Sequence, residues 1–401
     1  KNLCVENIST LTLTKKYKTP FYCYSLSQLK NNFYAFSNAF KTTKPLICFS
    51  VKSNSNVALL KELKKIGSGA DVVSAGELLK AKKAGINSKK IVFSGVGKTE
   101  EEIKLAIKNE VLLINIESTS EAYLVNQISK KMKKKTSIGI RLNPDITGKT
   151  NKKISTGDKN DKFGLNNKDC INFCKKIGNF KNLKLIGISV HIGSQITSVK
   201  PFQKVLGALD KIINKTKVNF QFIDLGGGMG ISYSNNEKNL NLNKYAKLVS
   251  KFLKRKKAQI IFEPGRFIIG NTSILISKII YIKKSGNKTF IILDSGMNDL
   301  MRPALYDARH RIIPLKKNNK KIIGNIEFVG PICESSDIFL NQKNFSGVKE
   351  GDYVAITDVG AYGMSLSSNY NTRPIVAEIM VSGSKHKLIK KRQNLENLIN
   401  N

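Results

Sequence analysis

The chain predicts an α/β fold, a (β/α)8 TIM barrel followed by a C-terminal antiparallel β domain. Three features carry this expectation. Eight short runs rich in apolar and β-branched residues, each closing on small or polar residues, recur before Asn271. Amphipathic stretches with apolar residues at helical spacing lie between them. After Asn271 the alternation ends, and strand-like segments follow one another with only turns between. Eight strands alternating with helices give a closed parallel barrel rather than an open sheet. Strands without intervening helices give antiparallel pairing.

Residues up to Pro20 precede the first barrel run and are assigned to the β-rich part. The expected domains are 21–270 for the barrel and 1–20 with 271–401 for the β domain. The barrel runs are 45–52, 69–74, 91–95, 112–118, 137–143, 185–194, 221–228 and 259–266. Between the first two, Ala58, Leu59, Leu60, Leu63 and Ile66 fall at helical spacing, as do Tyr245, Leu248, Val249, Phe252 and Leu253 before the eighth. A polar loop, 148–163, follows the fifth run with too little apolar content for a core element, which makes it a candidate active-site flap. The β domain is read from 273–283, 289–294, 322–329, 353–357 and 373–381.

With 401 residues, 41% hydrophobic and 24% charged, the chain can bury one large core and a smaller one, which excludes a disordered tail protein. Every apolar run is broken before about 18 residues accumulate, so no membrane helix is expected. The first twenty residues lack a secretory apolar segment, and a cytoplasmic location is expected. The start at Lys1 rather than Met is read as a trimmed or partial N-terminus. Six cysteines are too few for a disulfide framework at this length and are expected to be reduced. Cys170 and Cys174 have no second pair or nearby His, so no metal site is expected.

Lys plus Arg at 68 less Asp plus Glu at 29 gives +39, a balance that invites a polyanionic partner. The lysines are spread over the polar faces of nearly every helix, however, and the dense runs 130–135, 316–321 and 385–392 are not interleaved with aromatics. They are read as solvated faces, with no nucleic-acid or membrane partner expected.

The chemistry lies in the residues that close the barrel runs, because strand ends in such a barrel converge on one face. These include Lys52, Asp71, Arg141, His191, the triplet Gly226, Gly227 and Gly228, and Glu263 through Arg266. Lys52 ends an apolar strand, where desolvation frees an amine's lone pair to condense with a carbonyl; one more surface lysine is the plain alternative. The glycine triplet ends the seventh run, and Glu263, Pro264, Gly265 and Arg266 end the eighth. Loops after strands seven and eight commonly bind phosphate, and glycines let backbone N–H groups approach an anion. A tight turn explains one glycine but not three beside an arginine. The triplet is no dinucleotide fingerprint, because Ile231 stands where the last glycine belongs. Nor do Gly97, Lys98 and Thr99 make a P-loop, since Val92 replaces its first glycine. His191 closes the sixth run, as a functional ring or as a satisfied core histidine. Lysine, phosphate nest, planar imidazole and strand-end carboxylate together point to pyridoxal 5'-phosphate (PLP). Its ring accepts the electrons of a Cα carbanion when a carboxylate, here Glu263, keeps the ring nitrogen protonated.

These residues resemble the fold-type III family of PLP enzymes, which includes alanine racemase and the diaminopimelate, ornithine and arginine decarboxylases. The likeness runs over nearly the whole chain and is most specific in Asp294-Ser-Gly-Met-Asn-Asp-Leu-Met-Arg-Pro-Ala-Leu-Tyr-Asp307 and Gly330-Pro-Ile-Cys-Glu-Ser-Ser-Asp337, which resemble the diaminopimelate branch. The resemblance implies that Lys52 is joined covalently to the cofactor, His191 stacks on its face and Glu263 partners its ring nitrogen. Gly226, Gly227 and Gly228, with Ser194, Tyr362 and the Glu263–Arg266 turn, resemble the phosphate cradle, and Arg141 a residue near the 3-oxygen. Arg266, Arg302 and Tyr306, with Tyr362, resemble a pocket for the substrate's far carboxylate. Cys333 and Glu334 are similar to residues that enter from a second subunit, the cysteine as proton donor and the glutamate as reader of the distal ammonium. A homodimer with shared sites is thereby implied, as is decarboxylation of meso-diaminopimelate to L-lysine.

Departures from the family pattern occur at Ser94, often His, at Ala75, often Gly, and over 151–153, more usually His-containing. A related decarboxylase of ornithine or arginine would not need an arginine clamp. A racemase would not use Cys333 and Glu334. A polyanion-binding protein would explain +39 but leave the strand ends idle.

Overall fold

The eight runs read as barrel strands are strands because they are apolar enough for burial on both faces, as in parallel sheets generally. They span Leu46–Ser50, Gly69–Val72, Ile91–Phe93, Leu113–Ile116, Thr136–Arg141, Leu183–Ser189, Phe222–Asp224 and Gln259–Phe262. All pair in parallel, and the eighth returns to the first through Ile261 opposite Leu46, closing the barrel. The computed structural model describes residues 2–148, 151–234, 237, 239–254 and 256–400. It divides into two compact units, one of Phe33–Ile231 and Lys238–Phe267, the other of Lys1–Asn32, Ser232–Glu237 and Ile268–Asn401.

In the barrel unit the first seven strands each hand over to a helix through a polar cap. Asn56, Ser74, Ser118, Asn166, Ser198 and Asn241 each accept an N–H from the first turn of the helix that follows. Thr99 and Glu102 form a reciprocal capping box. The longest helix, Val199–Thr216, buries Phe202, Val205, Leu206, Leu209 and Ile212. Phe36, Phe40 and Tyr245 pack around Phe262 of the eighth strand, with the Phe40 and Phe262 centroids 4.5 Å apart.

The second unit is built on one sheet ordered Ile338–Ser346, Lys321–Val329, Lys288–Leu293, Ser273–Ser285, Phe21–Ser25, Ala377–Ser382 and Lys385–Lys390. It is mixed rather than purely antiparallel. Phe21–Ser25 runs parallel to Ala377–Ser382, and Lys288–Leu293 parallel to Lys321–Val329. The unit boundaries also differ from the expected 21 and 270. Phe21–Ser25 lies between two strands of this sheet, so the division falls after Asn32, and again after Phe267. Leu13, Phe21, Cys23, Ile276, Ile379 and Val381 form its core. Among the described residues no helix is long and apolar enough to cross a membrane.

Candidate active site

The strand ends of the barrel unit bring the predicted residues together. Lys52 sits in a single helical turn, Val51–Ser53, directly after the first strand. Its side chain is 39% exposed, less desolvated than the sequence implied, and its Nζ lies 3.5 Å from Oδ2 of the fully buried Asp71. Ser50 Oγ donates to the same oxygen at 2.8 Å.

The seventh strand ends at Asp224, and the next backbone turns sharply. Gly226 has φ +63° and Gly228 +90°, the left-handed region that favours glycine. A Cβ on Gly226 would stand 2.6 Å from the Val190 carbonyl oxygen and 2.9 Å from His191 Nδ1; on Gly227 or Gly228 it would overlap the carbonyl oxygens of Glu263 or Gly193. Three glycines are therefore required for strands six, seven and eight to meet here. His191 Nδ1 accepts the Gly227 N–H at 3.2 Å, which leaves Nε2 to carry the ring proton. Burial, then the Lys52 and Arg141 cations, push this imidazole well below its usual pKa and keep it neutral.

Ser194 and Arg266 join on the same side. Arg266 donates to Ser194 Oγ from Nε and NH2, at 3.3 and 3.1 Å. The Pro264 carbonyl accepts the Ser50 N–H at 3.3 Å, and Gly265 packs against Ser53, so the eighth strand's turn is tied to the first's. Glu263 is buried beside Asp224, and burial first, then the neighbouring Asp224 and Asp71 charges, raise its carboxyl well above the ordinary range. Asp224 is raised too, chiefly by burial, and its hydrogen bond with Glu263 makes Glu263 the proton holder of the pair. Asn115 Nδ2 donates to Asp224 Oδ2 at 3.3 Å and to Ser94 Oγ at 3.2 Å. Ser94, one of the departures, thus joins this network, and its Oγ lies 3.5 Å from Glu263 Oε1.

Arg141 ends the fifth strand, buried, with NH1 2.8 Å from Glu117 Oε1. Of the loop 148–163, residues 149 and 150 and the side chain of Lys152 lie outside the described residues. Its later part is tied into the barrel unit: Thr156 Oγ1 donates to the His191 carbonyl at 2.9 Å, and Ser155 pairs with Gly193.

The remaining candidates belong to the second unit. Arg302 opens the short helix Arg302–Tyr306, with NH1 2.8 Å from His310 Nε2 and its guanidinium 4.8 Å above the Tyr233 ring. Tyr306 and Tyr362 are half-buried, the latter at φ +58°. Cys333 and Glu334 are exposed on a turn built around Asp337, whose two oxygens accept the Met297 and Ile332 N–H groups at 2.7 and 2.8 Å. Ser336 and Tyr370 hydroxyls donate to Glu334 and hold its carboxyl below the usual value.

Sequence reasoning missed three buried charges. Lys98, Glu117 and Glu121 connect the loops after strands three, four and five. An acidic residue at the end of the fourth run was the available signal for Glu117.

The family description "Pyridoxal-dependent decarboxylase, pyridoxal binding domain" matches residues 26–270. The chain belongs to this family. Among its similar proteins are diaminopimelate decarboxylases. That of Aquifex aeolicus (strain VF5) is 42% identical over 402 residues, covering 99% of this chain and 94% of the relative. That of Zymomonas mobilis subsp. mobilis (strain ATCC 31821 / ZM4 / CP4) is 41% identical over 99% of this chain and 96% of its own. The crystal structure of the Helicobacter pylori enzyme complexed with L-lysine superposes with a TM-score of 0.93, at 40% identity and 98% coverage of each chain. A lysine/ornithine decarboxylase from Vibrio vulnificus, 16% identical with a TM-score of 0.81, shares the fold.

Proposed function

We propose that this pyridoxal-dependent decarboxylase removes CO2 from meso-2,6-diaminopimelate to give L-lysine, the last step of L-lysine biosynthesis, with PLP held in the barrel mouth. The observation that carries the reading is the meeting of Lys52, the glycine triplet and Glu263 at the barrel's strand ends, in a chain 42% identical to a diaminopimelate decarboxylase over almost its full length. The residues fit the cofactor. The side-chain-free backbone of the triplet lets an anion come close, and the Ser194–Arg266 pair offers it side-chain donors, while the Gly226 and Gly227 N–H groups are taken by Asp224 and His191. Glu263 is a buried acid with carboxylates for neighbours, and a protonated ring nitrogen supplies the positive partner it needs.

When bound, the cofactor supplies an electron sink for the pair released from the Cα–carboxylate bond. Lys52 would hold its aldehyde carbon, and Asp71 keeps that amine at the mouth. The neutral His191 ring, fixed through the Gly227 N–H, would stack on one face of the cofactor. Arg302, with Tyr306, Tyr362 and Arg266, grips the substrate's far carboxylate; this orients the near one for departure, a positioning effect. Cys333 of a partner subunit delivers the proton to Cα, and Glu334 beside it reads the distal ammonium. The β-rich domain thereby completes a homodimer's sites, and the exposure of both residues on one chain supports this. A cytoplasmic location is part of the reading, supported by six free cysteines.

The test is gas release from purified protein with PLP and separate stereoisomers of diaminopimelate, ornithine and arginine. CO2 from the meso isomer alone, with lysine formed in equal amount, is expected. Release from ornithine or arginine instead would overturn the substrate.

A further inference from the structure

The network that sequence reasoning missed ties three loops of the barrel mouth together. Glu117 sits at the end of the fourth strand with its side chain 3% exposed. Its Oε1 accepts from Arg141 NH1 at 2.8 Å and from the Gly95 N–H at 3.1 Å. Its Oε2 accepts the Gly164 N–H at 3.0 Å. One carboxylate therefore holds the end of strand five, the loop after strand three and the residue that closes the 148–163 loop.

The loop end reinforces the arrangement. Phe163 lies over the Arg141 guanidinium at 4.7 Å. Leu165 N–H donates to the Arg141 carbonyl, and Asn143 N–H to the Leu165 carbonyl, both at 2.8 Å. Gly164 takes φ +71°, and a Cβ there would stand 2.9 Å from the Arg141 carbonyl oxygen. Glu117 is itself held from below: its N–H donates to Glu121 Oε2 at 2.7 Å, and Glu121 Oε1 pairs with the buried Lys98 at 2.6 Å.

We propose that Glu117 is a positioning residue that fixes the Arg141 guanidinium toward the cofactor and latches the end of the 148–163 loop, so that loop order and guanidinium placement rise and fall together. The part concerning the cofactor rests on the PLP reading above; the latch does not.

Glu117→Gln separates the two arms. A carboxylate accepts at both oxygens, whereas an amide offers one acceptor and one donor group. With its oxygen toward Arg141, its NH2 meets the Gly164 N–H; turned round, it meets the guanidinium. One arm must fail in either orientation.

Hydrogen exchange on the cofactor-free protein reads the latch. Amides over 156–165 should exchange at least about tenfold faster in Glu117→Gln, because a hydrogen bond to a charged acceptor resists local opening. Amides of the second unit's Ser273–Ser285 strand should not change. Arg141→Met should loosen the same stretch, and the double variant by less than the product of the single effects, as residues of one network do. In the loaded protein, Glu117→Gln should alter the pH dependence of the cofactor's visible band. Unchanged exchange over 156–165, or fully multiplicative effects, overturns the proposal. If Glu117→Gln fails to fold, Arg141→Met decides alone, and unchanged exchange there has the same force. Absence of any visible band in the parent protein with PLP would sink the cofactor reading instead, with the exchange result still interpretable.

Discussion

Replacing Lys98 by Met should destabilise the barrel unit far more than any ordinary lysine substitution in this lysine-rich chain. The Lys98 side chain is 1% exposed, and its ammonium donates to Glu121 Oε1 at 2.6 Å and to the Gly95 and Asn115 carbonyls at 2.5 and 2.7 Å. Met fills nearly the same volume without donors, so Glu121 is left as a buried carboxylate with two orphaned carbonyls beside it. Breaking a buried pair from one side costs about 3–5 kcal/mol. Removing Glu121 as well, as in Lys98→Met with Glu121→Met, should recover part of that loss, because no unpaired carboxylate then remains in the interior. Recovery stays incomplete, since the Gly95 and Asn115 carbonyls still lack the Lys98 ammonium and the Glu117 N–H loses its acceptor, each at a cost of about 1 kcal/mol or more. Urea unfolding of the parent, both single variants and the double variant measures the cycle. A Lys98→Met loss under about 1 kcal/mol, the size of a surface ion pair, would refute the burial on which the reasoning depends.

Three further outcomes are expected. Lys52→Ala should abolish the visible absorbance of protein-bound PLP, and persistence of that band would remove Lys52 from its role. Cys333→Ala should leave cofactor binding intact and depress turnover, while mixing it with Lys52→Ala should restore activity through mixed dimers; no recovery despite demonstrated subunit exchange would argue against a shared site. Burial lifts the Asp337 carboxyl from 3.8 to about 6, so the native state holds its proton more tightly than the unfolded chain. Its contribution is present below about pH 4 and lost as pH rises through 6, and Asp337→Asn should flatten that fall in urea-unfolding free energy between the two values. A parallel pH profile in both proteins would contradict it.

The barrel was legible because its strands are buried on both faces, so Ile91–Phe93 reads as an unbroken apolar run and Leu113–Ile116 is interrupted only by Asn115. The site was legible where one loud residue closes a strand, as at Lys52, His191 and Glu263. Elsewhere the information is not local. Phe21–Ser25 looks like any apolar strand, and only its partners, far away in sequence, place it in the second sheet. Lys385–Lys390 is an edge strand with largely solvated residues, and its lysines, which discourage stray pairing, hide its strand character; on the other edge, Asn341 to Asn344 do the same for Ile338–Ser346. Lys98 vanished among the surface lysines because nothing in its flanking residues announces burial. Glu117 gains meaning only when three loops arrive around it.

The central place of Phe21–Ser25 bears on how the protein is made. Paired on one side with Ser273–Ser285 and on the other with Ala377–Ser382, this segment is translated well before either partner and must wait for both. At about 5–20 residues per second the delay is tens of seconds. Until Ser273–Ser285 is made, a stretch of Phe, Tyr and Cys has no sheet neighbour, and its other edge stays open until Ala377–Ser382 follows.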